Sequence, residues 1–361
     1  MNSKKEKTSK KLKKKKEEKK VKWITIIEAV FLLLMVYIFV AGIGIYFFGL
    51  GNNIFITQTA KIIPYPVAKA EKKIITFDKM KSQLASVKLF YKKQDFSDLG
   101  MRVDFSTKDG GKRLMIKEKN ILNKLIENGI IESEANARGI KLTSSMIDQE
   151  VDRKIKEYGA GDNLEEELKE LYGWDMKSFK ENIVKPDIYK EKLFEKLKES
   201  DESYKKNKER IKIAENDLQT GKSFQEVAKK YSEGKSSKEG GEMGWFRVDQ
   251  MIPEVTLAVF SLEKGKISPI VESSLGFHIL KLDDQKEEEG VKMFKVSQVF
   301  LRNKSFPQWL SEMERNADIK IFLKEFKWNS EKERVEFVQE DMRKFEEELL
   351  KNNPNDISVM F

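Results

Sequence analysis

One histidine, His278, stands in a chain of 361 residues that has no cysteine. Imidazole chemistry therefore has a single address. The composition leaves no thiol nucleophile, no Cys-ligated zinc site, no disulfide scaffold and no lipidated-cysteine anchor in this sequence. A proteolytic enzyme lacks support too, since no base beyond lone His278 stands ready to pair with a serine. Metal and nucleotide cofactors have no supporting motif, so none is expected. The histidine sits in FHILKL at 277–282, whose alternation suits a half-buried strand. Upstream, Gly240, Gly241 and Gly244 supply positive-φ freedom around a tight connection.

Charge directs attention to the amino terminus. Residues 1–22 hold 12 Lys and 3 Glu, which accounts for the whole net charge of +9, and the remainder carries 57 basic against 57 acidic side chains. No nucleic-acid partner is expected for the folded part, because it has no basic surplus. From Ala29 to Leu50 the chain reads AVFLLLMVYIFVAGIGIYFFGL without a charge. These roughly 22 residues, at about 1.5 Å each, cover a hydrocarbon core of about 30 Å, and the run is too long for a cleaved signal peptide. The expectation is a membrane helix over 23–50, with Trp23 and Glu28 at its interfacial edge and a lipid bilayer as partner. The lysine run would keep residues 1–22 in the cytoplasm and send the rest across, giving a single-pass protein of the cell membrane with extracytoplasmic domains.

Beyond the membrane segment, Pro64-Tyr65-Pro66 forces an extended approach, and folding should begin there. A strand pair over Val67–Ile75 leads to Thr76, which can cap a helix to about Lys93. Asp95–Lys112 reads as a loop, and a core helix follows over about 112–128. Pro186 opens what reads as one continuous helix to about Thr220, with an apolar face that would join two domains rigidly. This order resembles the amino-terminal chaperone domain of the SurA, PrsA and PpiD family of exported or membrane-associated foldases. The resemblance is carried by IPYPVA at 63–68, ITFDKMKSQL at 75–84, ILNKLIENGIIESEANARGIKLTSSMID at 121–148 and LYGWDMKSFKENIVKPDIYKEKL at 171–193. Where the family has a small turn residue after its first strand, Glu71-Lys72 stand here.

The sharpest segment is 221–282. The helix at Phe224–Tyr231, GGEMGWF at 240–246, MIPE at 251–254, AVF at 258–260, LEKGKIS at 262–268 and GFHILKL at 276–282 resemble, in family order, the parvulin-type peptidyl-prolyl isomerase module. The resemblance implies an FKBP-like antiparallel sheet with flanking helices, and isomerisation of proline-containing segments in unfolded or newly exported polypeptides. Met243, Met251, Val255 and Phe260 match the wall of the family's proline pocket, with Val255 replacing the usual phenylalanine. Ser273 and His278 match the polar positions beneath it. Gly234 stands where relatives often carry a reactive or acidic side chain. The chain lacks the family's first strand, of the form A-S-H-I-L, before the module. KVSQVFLR at 295–302 resembles that strand and is expected to fill its place by a permutation, putting Gln298 where the first histidine would be.

The resulting expectation is an α+β chain: tail 1–22, membrane helix 23–50, mostly helical chaperone domain 51–200, isomerase-type domain 201–302, and an extension 303–361 packing back on the chaperone domain. In that extension 329–351 reads as one amphipathic helix, with a frayed end from Asn352. The opposed reading, motivated by Gly234, Val255 and Gln298, is a catalytically silent chaperone or scaffold.

Overall fold

The structure, a computed structural model, describes residues 2–49, 51, 53–94, 104–158, 163–288 and 290–352. Residues 95–103 of the expected loop and the chain end at 353–361 lie outside them, and the loop expected to reach Lys112 gives way to helix already at Lys108. In chain order, α1 (Asn2–Tyr46) and α2 (Ile54–Ile62) precede the strands β1 (Pro66–Ala70) and β2 (Lys73–Thr76). Helices α3 (Phe77–Lys93), α4 (Lys108–Ala137), α5 (Ser144–Tyr158), α6 (Leu164–Tyr172), α7 (Met176–Phe179), α8 (Lys185–Ser200), α9 (Glu202–Gln219) and α10 (Phe224–Tyr231) follow. Next come β3 (Glu242–Arg247), α11 (Pro253–Phe260), β4 (Val271–Ser273), β5 (Gly276–Glu288), β6 (Val291–Arg302) and α12 (Phe306–Asn316). The last elements are β7 (Ile319–Ile321), β8 (Phe326–Asn329), β9 (Arg334–Phe337) and α13 (Glu340–Asn352). The chain is α+β and divides into two compact units, one of residues 1–130, 160–179 and 317–361, the other of 131–159 and 180–316.

In the first unit the apolar part of α1 is Thr25–Tyr46, 22 residues with a mean hydropathy of 2.7, long and apolar enough by length and composition to cross a membrane. The helix ends earlier than the expected span. Phe47–Gly49 leave it, with Gly49 in the left-handed region at φ 65°. Thr76 caps α3, its hydroxyl accepting from the Lys79 amide at 3.3 Å. The β1–β2 turn places Glu71 at φ 55°, a costly conformation for a side chain with a Cβ. Asp318 holds it there: the Glu71 amide donates to the Asp318 carbonyl, and the Glu71 carboxylate accepts from the Asp318 amide. β7 extends the same sheet, in the order β2-β1-β7.

The single helix expected over 329–351 is a hairpin followed by a helix. The Asn329 side chain accepts from the amides of Glu331 and Lys332, and Glu333 at φ 53° completes the turn from β8 into β9. Val335 and Phe337, expected on a helical stripe, are instead buried on a strand. Only from Glu340 does the chain become helical, and α13 meets α4 through the Lys119–Glu346 ion pair and Lys112 over the Phe345 ring.

In the second unit the helix expected from Pro186 to Thr220 is broken. Asp201 adopts an extended backbone, and its carboxylate accepts from the amides of Ser203 at 2.7 Å and Tyr204 at 3.2 Å, so α9 starts afresh. A capping carboxylate satisfies amides that a continuous helix would bond to carbonyls one turn earlier. α8 and α9 both belong to this unit. β5 and β6 run on as a ribbon to Glu288 and from Val291, setting Asp284 opposite Lys295 and Glu287 opposite Lys292. Opposite charges across an antiparallel pair favour the extended ribbon. The four-stranded sheet has the order β3-β6-β5-β4.

The Asp201 cap yields a measurable expectation. Asp201→Ala should lower the unfolding free energy by about 1 kcal/mol in chemical denaturation, whereas an unchanged midpoint would mean that the break between α8 and α9 does not depend on this cap.

Candidate active site

Strand alternation divides the side chains of the four-stranded sheet. Phe277 and Ile279 of β5 join Val299 and Leu301 of β6 under α9 and α10, in a buried cluster with Ile211, Phe224 and Val227. The opposite face holds Leu280, Leu282, Phe294 and Val296 against Val255 and Val259 of α11. His278 stands opposite Phe300 and Leu280 opposite Gln298 in the register, so alternation brings His278 and Gln298 to this second face.

There the three polar residues singled out from the sequence form one hydrogen-bonded file. Ser273 Oγ lies 2.8 Å from His278 Nε2, and His278 Nδ1 lies 3.3 Å from Gln298 Oε1. The carboxamide oxygen takes the Nδ1 proton, which leaves Nε2 to accept from the Ser273 hydroxyl. The same hydroxyl oxygen accepts from the Leu275 amide at 3.1 Å, which fixes it on the β4–β5 turn. The Phe300 ring stacks on the imidazole with centroids 4.7 Å apart. Burial pushes the His278 imidazole below its ordinary value, more than the Gln298 hydrogen bond and the Glu254 carboxylate raise it. The ring is therefore neutral at pH 7.

The apolar candidates divide. Val255 is a core residue, 5% exposed, packed on Val259, Leu280 and Phe294, with Met243 and Met251 half-buried against the same cluster. Phe260 is 48% exposed and sets its edge on the Phe294 ring at 5.1 Å. Of the four, Phe260 presents the most surface to a ligand.

Sequence reasoning undervalued the loop at 232–241. β3 pairs with β6 only from Met293 to Ser297, and the rest of that strand edge is served by the loop. The Gln298 amide donates to the Gly241 carbonyl at 2.9 Å, the Phe300 amide to Ser232 Oγ at 3.0 Å, and the Glu233 amide to the Phe300 carbonyl at 2.7 Å. Gly241, at φ 90°, must be glycine, because a Cβ there would sit 2.6 Å from the Gln298 carbonyl oxygen. A Cβ at Gly234 would meet Ser232 Oγ at 3.4 Å and Gln298 Nε2 at 3.5 Å, so this position borders the polar file even without a side chain. The glycines at 240 and 241 signalled a tight connection here, while the part of Ser232, the residue that closes α10, went unread.

The arrangement holds a neutral imidazole rigidly between a hydroxyl and a carboxamide, beside an apolar surface. Ser273 and His278 stand at the distance of a nucleophile and its base, yet the third member is an amide that cannot stabilise an imidazolium by charge. Binding and orientation are what such a site can do.

The model of the PPIC-type PPIase domain, the rotamase family, matches residues 193–284. Foldase protein PrsA 4 of Bacillus cereus is 36% identical over 174 residues, 46% of this chain and 61% of its own. This chain thus spans less than two thirds of that foldase. Foldase protein PrsA 3 of Bacillus anthracis is 30% identical over 205 residues, 50% of this chain and 72% of its own. A crystal structure of the peptidylprolyl isomerase PrsA from Bacillus anthracis is 21% identical, covers 66% of this chain and 99% of its own, and has a TM-score of 0.19.

Because His278 is the only histidine, its titration can be read without assignment. The imidazole carbon protons should titrate below the ordinary value of 6.5. A folded-state value depressed in this way means that stability is lost as the pH falls below about 6.5, where the unfolded chain takes up a proton that the folded one refuses. A midpoint at or above 6.5 would show that the ring is not held neutral by burial.

Proposed function

This chain belongs to the PrsA foldase family, and on that premise we propose that it is a peptidyl-prolyl cis-trans isomerase and chaperone for exported polypeptides, anchored to the membrane by α1. Residues 201–302 are read as the isomerase module. α9 to α11 and the four strands β3 to β6 all fall within them. In this reading β6 stands in for the family's first strand, a permutation supported by its interior position between β3 and β5. Residues 51–200 are read as the chaperone domain and 303–361 as its extension, supported by the β1–β7 pairing and the α4–α13 ion pair.

The observation that carries the activity is the file Ser273–His278–Gln298 on the same sheet face as Met243, Met251, Val255 and Phe294. Amide resonance sets a barrier of about 18–20 kcal/mol to rotation about the prolyl bond. No bond to protein is needed to lower it. A ring held against apolar side chains, with the polar file favouring the twisted amide over both planar forms, is differential binding of the transition state. In this scheme Phe260 grips the proline ring. His278 and Ser273 keep the polar floor in one hydrogen-bonded state, and Gln298 replaces an imidazole with a group that donates and accepts but does not ionise.

The positive-inside bias of residues 1–22 supports a cytoplasmic amino terminus and extracytoplasmic units. The competing function is a silent chaperone of the same fold, favoured by the full burial of Val255, which fills core instead of walling a pocket.

Relaxation of a proline-containing test peptide separates the two. The full chain in detergent should accelerate the cis-to-trans step, and Phe260→Ala should lower kcat/KM by about tenfold, equivalent to about 1.4 kcal/mol of transition-state binding. No acceleration at micromolar protein, with aggregation of an unfolded client still suppressed, would leave the silent chaperone standing.

A further inference from the structure

The carboxy-terminal part of α1 is not bare. Trp23 and the side chains from Thr25 to Val40 are exposed apart from half-buried Ile38, but Ala41, Gly42, Gly44 and Ile45 are buried within the first unit. The exposed stretch of about 16 residues spans about 24 Å, short of a hydrocarbon core of about 30 Å. A bilayer that begins at Thr25 therefore ends where α1 is already surrounded by its own unit.

α2 and Tyr65, which follows it, lie against this part of α1. Tyr37 Oη lies 2.7 Å from Thr59 Oγ1 and 3.3 Å from the Phe55 carbonyl, and the Tyr65 hydroxyl donates to the Ile38 carbonyl at 2.8 Å. Tyr37 stands about 12 residues, or about 18 Å, along α1 from Thr25, well inside that thickness. The two Tyr37 contacts carry α2 to the same depth. Its outward side chains fit that depth: Ile54, Phe55 and Ile62 are 67%, 71% and 81% exposed, accompanied by Gln58 and Lys61. A lone lysine in the last turn can extend its ammonium to the headgroups.

Several polar groups at the ends and inner side of α2 are met from within. Asn53 accepts from the Phe55 and Ile56 amides, the Thr57 and Thr59 hydroxyls reach carbonyls of their own helix, and the Ile63 amide donates to the Thr59 carbonyl. A segment in hydrocarbon must satisfy its backbone in this way, since lipid supplies no partners.

We propose that α2 is a second membrane-embedded element, lying against α1 in the outer part of the bilayer with Ile54, Phe55 and Ile62 facing lipid. It rests on the anchored reading of α1 given above. The alternatives for this face are a client polypeptide or a second copy of the chain; continuity with the apolar face of α1 favours lipid.

Since the chain has no cysteine, single-cysteine variants can each carry one nitroxide label. In full-length protein reconstituted into phosphatidylcholine vesicles, labels on Phe55→Cys and Ile62→Cys should collide with oxygen and lose collisions with a water-soluble nickel chelate. A label on Phe31→Cys, inside the span, should behave alike, while one on Ile74→Cys, exposed on β2, should meet the chelate freely. Nickel access at 55 and 62 with protection at 31 would overturn the proposal and leave the anchor intact. Nickel access at 31 as well would remove the anchored reading and the proposal with it. Shielding of 55 and 62 from both reagents would mean that protein covers α2, and would also overturn it.

Discussion

β6 runs through the interior of its sheet, and a strand in that position carries two rows of amides and carbonyls that all need partners. One edge is paired with β5 along its length. The other meets β3 only as far as Ser297, and beyond that the loop at 232–241 takes over with Ser232, Glu233 and Gly241. The candidate site is built on this second arrangement. Gln298 and Phe300 reach His278 because the loop holds their strand in register past the end of β3. The left-handed glycine at 241 lets backbone approach backbone where a side chain would collide. Without β6, both β3 and β5 would present open edges, and the imidazole would lose its Nδ1 partner and its stacked ring.

Burial then decides the chemistry. An imidazole taken out of water disfavours its own charge, so His278 is held as a neutral hydrogen-bonding group between Ser273 and Gln298. This suits a reaction in which nothing is transferred and only the relative stability of planar and twisted amide matters. The sheet's other face is closed by α9 and α10 over Phe277 and Val299, which leaves the α11 side to carry function.

The first unit obeys a different constraint. Tyr37 and Tyr65 place hydroxyls against α2 and the α1 backbone, and Tyr46 donates to the Pro66 carbonyl at 3.0 Å. The end of α1 is thus tied to the fold by phenols whose rings are apolar and whose tips are paired.

Much was legible in the residue order. Thr76 marked the start of α3, the alternation at 277–282 marked β5, and the lone histidine marked where imidazole chemistry could stand. V-S-Q-V-F could be read as a strand, because strand alternation is a local pattern, and it lies in β6. Tertiary contacts decided the rest. Asp201 split a helix that periodicity made continuous, since a cap competes with helical bonds only when its side chain finds the next amides. Val335 and Phe337 became a strand because Asn329 and Glu333 closed a turn that no hydrophobic stripe records. The sequence by itself determined which segments are apolar, which alternate and where the single imidazole stands. Only the folded chain decided that Val255 would be core and Phe260 surface, and that Ser232 would hold the Phe300 amide. Burial and backbone pairing are set by neighbours far away in sequence, and spacing along the chain does not encode them.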